Sequence, residues 1–96
     1  RIVQQMREAT EQRIEGRPVA AVEELAKVFT YTETQKDSVL EHLIRGGDFT
    51  QYGLLNAVTR ASQDQDDYEA ATQMERDGGR IIELPKSDWT RIAQAA

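Results

Sequence analysis

Cysteine is absent from this chain of 96 residues, and histidine and tryptophan occur once each. Without cysteine there can be no disulfide framework, no thiolate nucleophile and no zinc ribbon. That is compatible with the cytoplasm. Long apolar runs are missing too: nothing approaches the ~18 residues that spanning a membrane requires. The opening "RIVQQMREAT" begins with Arg1 rather than methionine and has no hydrophobic signal core. The chain therefore reads as one helical domain over residues 1–96, expected to be the C-terminal piece of a longer protein.

Positive charge is scarce and scattered. Twelve basic residues face seventeen acidic ones, for a net charge of −5. Nucleic-acid binding needs a clustered basic footprint that displaces counterions from phosphates. The arginines and lysines here stand singly along the chain, so direct nucleic-acid binding by this chain is disfavoured. What is present is ordinary for a globular domain: 39% apolar and 30% charged residues. A chain of this length buries roughly two thirds of its unfolded surface, enough for one core.

The apolar spacing is helical through most of the sequence. In "RIVQQMREATEQRIEGRP", Ile2, Val3, Met6, Thr10 and Ile14 form a thin stripe, and Gly16 and Pro18 punctuate it. "PVAAVEELAKVF" repeats the pattern with Val19, Val22, Leu25, Ala26 and Phe29. Thr32 followed by Gln35 fits a capping box. The helix that follows presents Val39, Leu40, Leu43 and Ile44, and Gly46-Gly47 ends it. Asp48 and Thr50 are alternative caps for the next helix, which runs to about Ser62. An acidic helix with Tyr68, Ala71 and Met74 follows and is expected to stop at Gly78-Gly79. The β-branching of "RIIEL" suggests a short extended segment. Pro85 and Ser87 then open a last helix that turns Trp89 and Ile92 to one side. The expected architecture is an all-α bundle of five to six short helices with one short extended segment near the C-terminus. The two Gly-Gly pairs do not mark a repeat, since "LIRGGDFT" and "ERDGGRII" do not match.

At ~100° per residue, Leu54, Leu55, Val58, Ala61 and Ser62 gather on one side of the mid-chain helix. Tyr52, Asn56, Thr59 and Gln63 gather on the other. The uncharged polar stripe of Tyr52, Asn56 and Thr59, together with the Trp89 region, is the candidate docking surface. An amide such as Asn56, if buried, needs partners, because an unpaired one costs on the order of 1–3 kcal/mol.

Catalytic and metal chemistry find little support. A Ser-His-acid site needs its histidine, and His42 sits between Glu41 and Leu43 on a helix, where a structural role is the plainer reading. A calcium loop starting at Asp64 would need glycine at its sixth position, where Glu69 stands. The run Asp64, Asp66, Asp67 and Glu69 suits a helix N-terminus instead. "RDGGRI" lacks the phosphate-loop pattern. A helix-turn-helix over Val22 to Ile44 would turn Glu33, Asp37 and Glu41 toward phosphates. The chain is read as non-enzymatic, with no metal and no cofactor.

At "FTQYGLLNAVTRASQD" the chain resembles the phage/plasmid-like protein family catalogued as domain of unknown function 932. Members show a threonine, an aromatic residue two positions on, and Asn-Ala-x-Thr in one helix near the C-terminus. Thr50, Tyr52, Asn56, Ala57 and Thr59 occupy those positions here. The similarity runs from about Val22 to Trp89, with this helix its one specific part. The family has a much longer N-terminal portion and no established activity. Its link to mobile elements implies DNA replication, recombination or host interaction. The resulting expectation is a non-catalytic interaction or assembly module. Its partners would be the rest of a parent protein or another protein, and homo-oligomers are compatible with it. The alternative is an acidic regulatory domain that mimics phosphate charge within a DNA-processing protein.

Overall fold

The computed structural model describes residues 13–95. Five α-helices and one turn of 3-10 helix account for most of them: α1 Pro18–Phe29, α2 Glu33–Gly46, α3 Gln51–Ser62, α4 Tyr68–Arg80, the 3-10 turn Ile81–Glu83 and α5 Lys86–Gln94. The protein is all-α. No helix among the described residues is long and apolar enough to cross a membrane.

Local sequence explains most of the boundaries. Pro18 stands at the start of α1, where its missing N–H costs nothing. The capping box of α2 is complete: the Gln35 amide N–H donates to the Thr32 hydroxyl at 3.2 Å, and the Gln35 side chain accepts from the Thr32 N–H at 2.8 Å. Gly47, in the left-handed conformation, closes α2 by donating its N–H to the Leu43 carbonyl. Of the two candidate caps for α3, Thr50 does the capping by accepting from the Gly53 N–H. Asp48 holds Thr50 in place, accepting from its N–H at 3.0 Å and its hydroxyl at 2.7 Å. Asp67 caps α4 by accepting from the Glu69 N–H.

The helices pack in the spatial order α5, α1, α2, α3, α4, and the 3-10 turn rests on α3 and α4. Short connections make α2, α3 and α4 antiparallel neighbours. The core runs through this stack, with Ile14, Leu25, Val39, Leu43, Leu54, Val58, Met74, Ile81 and Ile92 fully buried. α3 is covered by α2 on one flank and α4 on the other, with the 3-10 turn against it.

Several expectations need correction. Ile2, Val3, Met6 and Thr10 lie outside the described residues. Ile14 is buried, but on extended backbone: its N–H donates to the Phe49 carbonyl at 2.7 Å, and Arg13 pairs with Thr50 in an isolated antiparallel bridge. Gly78-Gly79 does not end α4. The helix continues through both glycines to Arg80, and at Gly78 α3 lies too close for a side chain. A Cβ on Gly78 would sit 2.5 Å from the Thr59 hydroxyl oxygen and 3.4 Å from the Leu55 carbonyl oxygen. Ile81–Glu83 is a helical turn, and the extended backbone is confined to Leu84 and Pro85. Ile81 buries itself by curling under α3 rather than by joining a sheet. Val19, Ile44 and Tyr68 are exposed, Tyr68 at 82%. Periodicity put them on inner stripes, but among the described residues no neighbouring helix covers those positions.

Candidate functional site

The polar stripe of α3 divides when the neighbouring helices are in place. Thr59 faces α4 and is half-buried against Gly78. Tyr52 is 56% exposed, and Asn56, one turn further along, is exposed as well. Tyr52 and Asn56 thus share a solvent-facing edge of α3, and Thr59 belongs to the seam between α3 and α4. Trp89 is elsewhere and inside: it is 3% exposed and packs in the core beneath α5. As an amphipathic nine-residue helix, α5 turns Trp89 and Ile92 inward together. The indole N–H of Trp89 has no hydrogen-bond partner among the described residues.

Next to the exposed edge, a cleft of about 320 Å³ opens between α2 and α3. Its lining comes from the C-terminal half of α2 (His42, Leu43, Arg45, Gly46), the connection (Asp48) and α3 (Gly53, Asn56, Ala57, Arg60). Gly46 and Gly53 both line it. A Cβ at Gly53 would overlap the Asp48 backbone carbonyl, so the connection can fold down onto the first turn of α3 only because that position lacks a side chain.

At the other end of the α2–α3 pair, Ser38, His42 and Asp64 meet. The Ser38 hydroxyl donates to Asp64 Oδ2 at 2.8 Å, and His42 Nε2 lies 2.7 Å from the same oxygen. These are the residue types of a hydrolase triad in the wrong order. A triad places the imidazole between hydroxyl and carboxylate, so that it can take the hydroxyl proton. Here the carboxylate is in the middle and the serine spends its proton on it. The group fastens the end of α3 to α2. The bond from His42, and then that from Ser38, hold the Asp64 carboxyl below its ordinary pKa.

A second polar group went undetected in the sequence. Asp77 is 1% exposed, inside the interface of α4 with the α1–α2 connection. The Tyr31 hydroxyl donates to its Oδ2 at 2.9 Å, and Arg80 Nη1 donates to its Oδ1 at 3.2 Å. The Arg80 guanidinium also lies 5.3 Å from the centre of the Phe29 ring, which packs on Tyr31 at 5.6 Å. Burial first, and then the hydrogen bond to Asp77, drive the Tyr31 phenol well above its ordinary pKa. Tyr31 is therefore a neutral donor to a buried carboxylate. The tyrosine stands 46 positions from the aspartate, so no local pattern could have linked them.

Among the described residues no three histidine, aspartate or glutamate side chains gather at metal-binding distance. The chemistry on offer is recognition by an exposed aromatic ring, amides and arginines. Comparisons with protein-family models, curated proteins and solved structures each returned no match.

Proposed function

We propose that this chain is a non-catalytic interaction or assembly module of a phage/plasmid-like protein, docking through the α3 edge that carries Tyr52 and Asn56. The observation that supports this most is the exposure of Tyr52 at 56%, one helical turn before an exposed amide, on the helix packed between α2 and α4. Aromatic side chains are enriched at interface centres because they bury a large area for few frozen rotors. Their partner surface would lie on the rest of the parent protein or on another protein. Neither side chain helps to hold the fold, so substitutions there separate docking from stability. Asn56→Leu and Tyr52→Ala are expected to weaken docking to the remainder of the parent protein at least tenfold, about 1.4 kcal/mol, with unchanged melting temperature. Equal affinity and equal stability in both variants would refute the docking edge.

A second reading has one observation in its favour. Asp64, Asp66, Asp67 and Glu69 all stand exposed around the turn from α3 to α4, in a chain of net charge −5. Such a patch could occupy a basic DNA-binding surface of the same protein. Salt-titrated DNA binding, with and without this chain, separates the readings: higher affinity on deletion supports the acidic regulator, and no change supports the docking module.

A further inference from the structure

The cleft between α2 and α3 shares Asn56 with the docking edge and adds to it an arginine and an apolar floor. Leu43 and Ala57, both buried, give it an apolar floor. Three of its polar wall residues are already engaged. His42 is held by Asp64, Arg45 Nη2 donates to Glu41 at 2.6 Å, and Asp48 accepts from Thr50. Arg60 and Asn56 differ. They stand one turn apart on α3, and among the described residues no ion pair holds Arg60. A guanidinium fork and a planar amide, both donors, therefore flank an apolar floor.

We infer that this cleft binds a carboxylate carried on a short apolar stem, with the carboxylate on Arg60 and Asn56 and the stem on Leu43 and Ala57. The five donors of a guanidinium, set in a rigid plane, match the two oxygens of a carboxylate bidentately. Charge balance around the cleft selects a monoanion. Asp48 stands in the wall, and Asp64 and Glu41 lie just behind His42 and Arg45. A phosphate dianion would meet those carboxylates with twice the repulsion and only one uncommitted arginine to offset it. Size points the same way. At ~30 Å³ per water-sized group, a volume of 320 Å³ holds about ten non-hydrogen atoms. That leaves room for a short stem beside the carboxylate.

Two sources can supply this chemistry: a free organic acid, or a glutamate side chain presented by a partner. The second rests on the docking reading above, and the first does not. Amide NMR titration of the 96-residue chain with benzoate, capped glutamate (N-acetyl, N-methylamide), benzamide and inorganic phosphate tests all of this. Saturable shifts confined to residues 42–60 are expected with the carboxylates and not with benzamide. Arg60→Gln should weaken them about tenfold, the loss of one charge-assisted pair, while the spectrum of the unliganded protein elsewhere stays the same. Tighter benzoate assigns the site to a free acid, and tighter capped glutamate assigns it to a partner. The inference is overturned by an absence of saturation with both carboxylates, by benzamide matching benzoate, by tighter phosphate binding, or by unchanged affinity in Arg60→Gln.

Discussion

Replacing Tyr31 with phenylalanine removes a single oxygen from the buried network at Asp77. The aromatic ring remains against Phe29, so no cavity opens and the change isolates one hydrogen bond. What is lost is a neutral donor to a carboxylate that is 1% exposed. Hydrogen bonds to charged groups contribute about 1.5–3 kcal/mol. Arg80 compensates weakly, because its side chain is 58% exposed and its charge is screened by water. A loss of about 2 kcal/mol is therefore expected, a sizeable share of the ~5–15 kcal/mol that holds a small domain together. In urea the midpoint should fall by roughly 1 M for an m-value near 2 kcal/mol/M, and the melting temperature by about 8–16 °C. Trp89, the single tryptophan and a core residue, reports the transition by fluorescence. A cycle with Asp77→Asn should show coupling of about 1 kcal/mol or more. The pH dependence adds a second reading. Because the phenol pKa is raised by folding, its contribution is complete below the ordinary tyrosine value of 10.0 and is lost as pH rises above it. Wild type should lose that stability in alkali and Tyr31→Phe should not. A Tyr31→Phe protein within about 0.5 kcal/mol of wild type, or a cycle without coupling, would overturn the assignment.

Three other outcomes follow from the geometry. Gly78→Ala should destabilise by about 1–3 kcal/mol despite the better helix propensity of alanine, and adding Thr59→Ala, which removes the clashing hydroxyl, should recover most of it by the same unfolding assay. Thr30, at φ 56°, is a β-branched residue in the left-handed region, so Thr30→Gly should raise stability by about 1 kcal/mol; a loss instead would mean that the conformation is not strained. Asp64 has a depressed pKa, so its contribution is complete above the ordinary carboxylate value of 3.8 and disappears as pH falls below it. The gap in urea midpoint between wild type and Asp64→Asn should accordingly close in strong acid, and a gap that persists there would refute the role of the carboxylate charge.

Local signals were the readable part of this sequence. Thr32 and Gln35 cap each other within one turn, and Gly46-Gly47 ends α2 where its local pattern says it should. The same dipeptide at Gly78-Gly79 carries an opposite meaning: the helix runs on through it, and the approach of Thr59 and Leu55 from another helix accounts for the missing side chain at Gly78. Asp77 reads as one more solvated acid until Tyr31 is brought to it across the fold. Periodicity placed Ile44 and Tyr68 facing inward, although it cannot tell which side of a helix a neighbour will reach. The candidate site shows the same division. Tyr52 and Asn56 were legible as one edge of α3, but Thr59 was diverted to the α4 seam and Trp89 to the core. Arg45 and Arg60 read as isolated charges, and only the antiparallel packing of α2 and α3 sets both around one cleft.

The clasp between Ile14 and Phe49 has a mechanical corollary. Phe49 directly follows Asp48, a wall residue of the cleft, so a tug on the strand at Arg13 and Ile14 is delivered within one peptide unit of that wall. Buried Ile14 resists such a tug like a nail head. A load applied at that point therefore reaches the mouth of the cavity through Phe49 and Asp48, in the connection between α2 and α3.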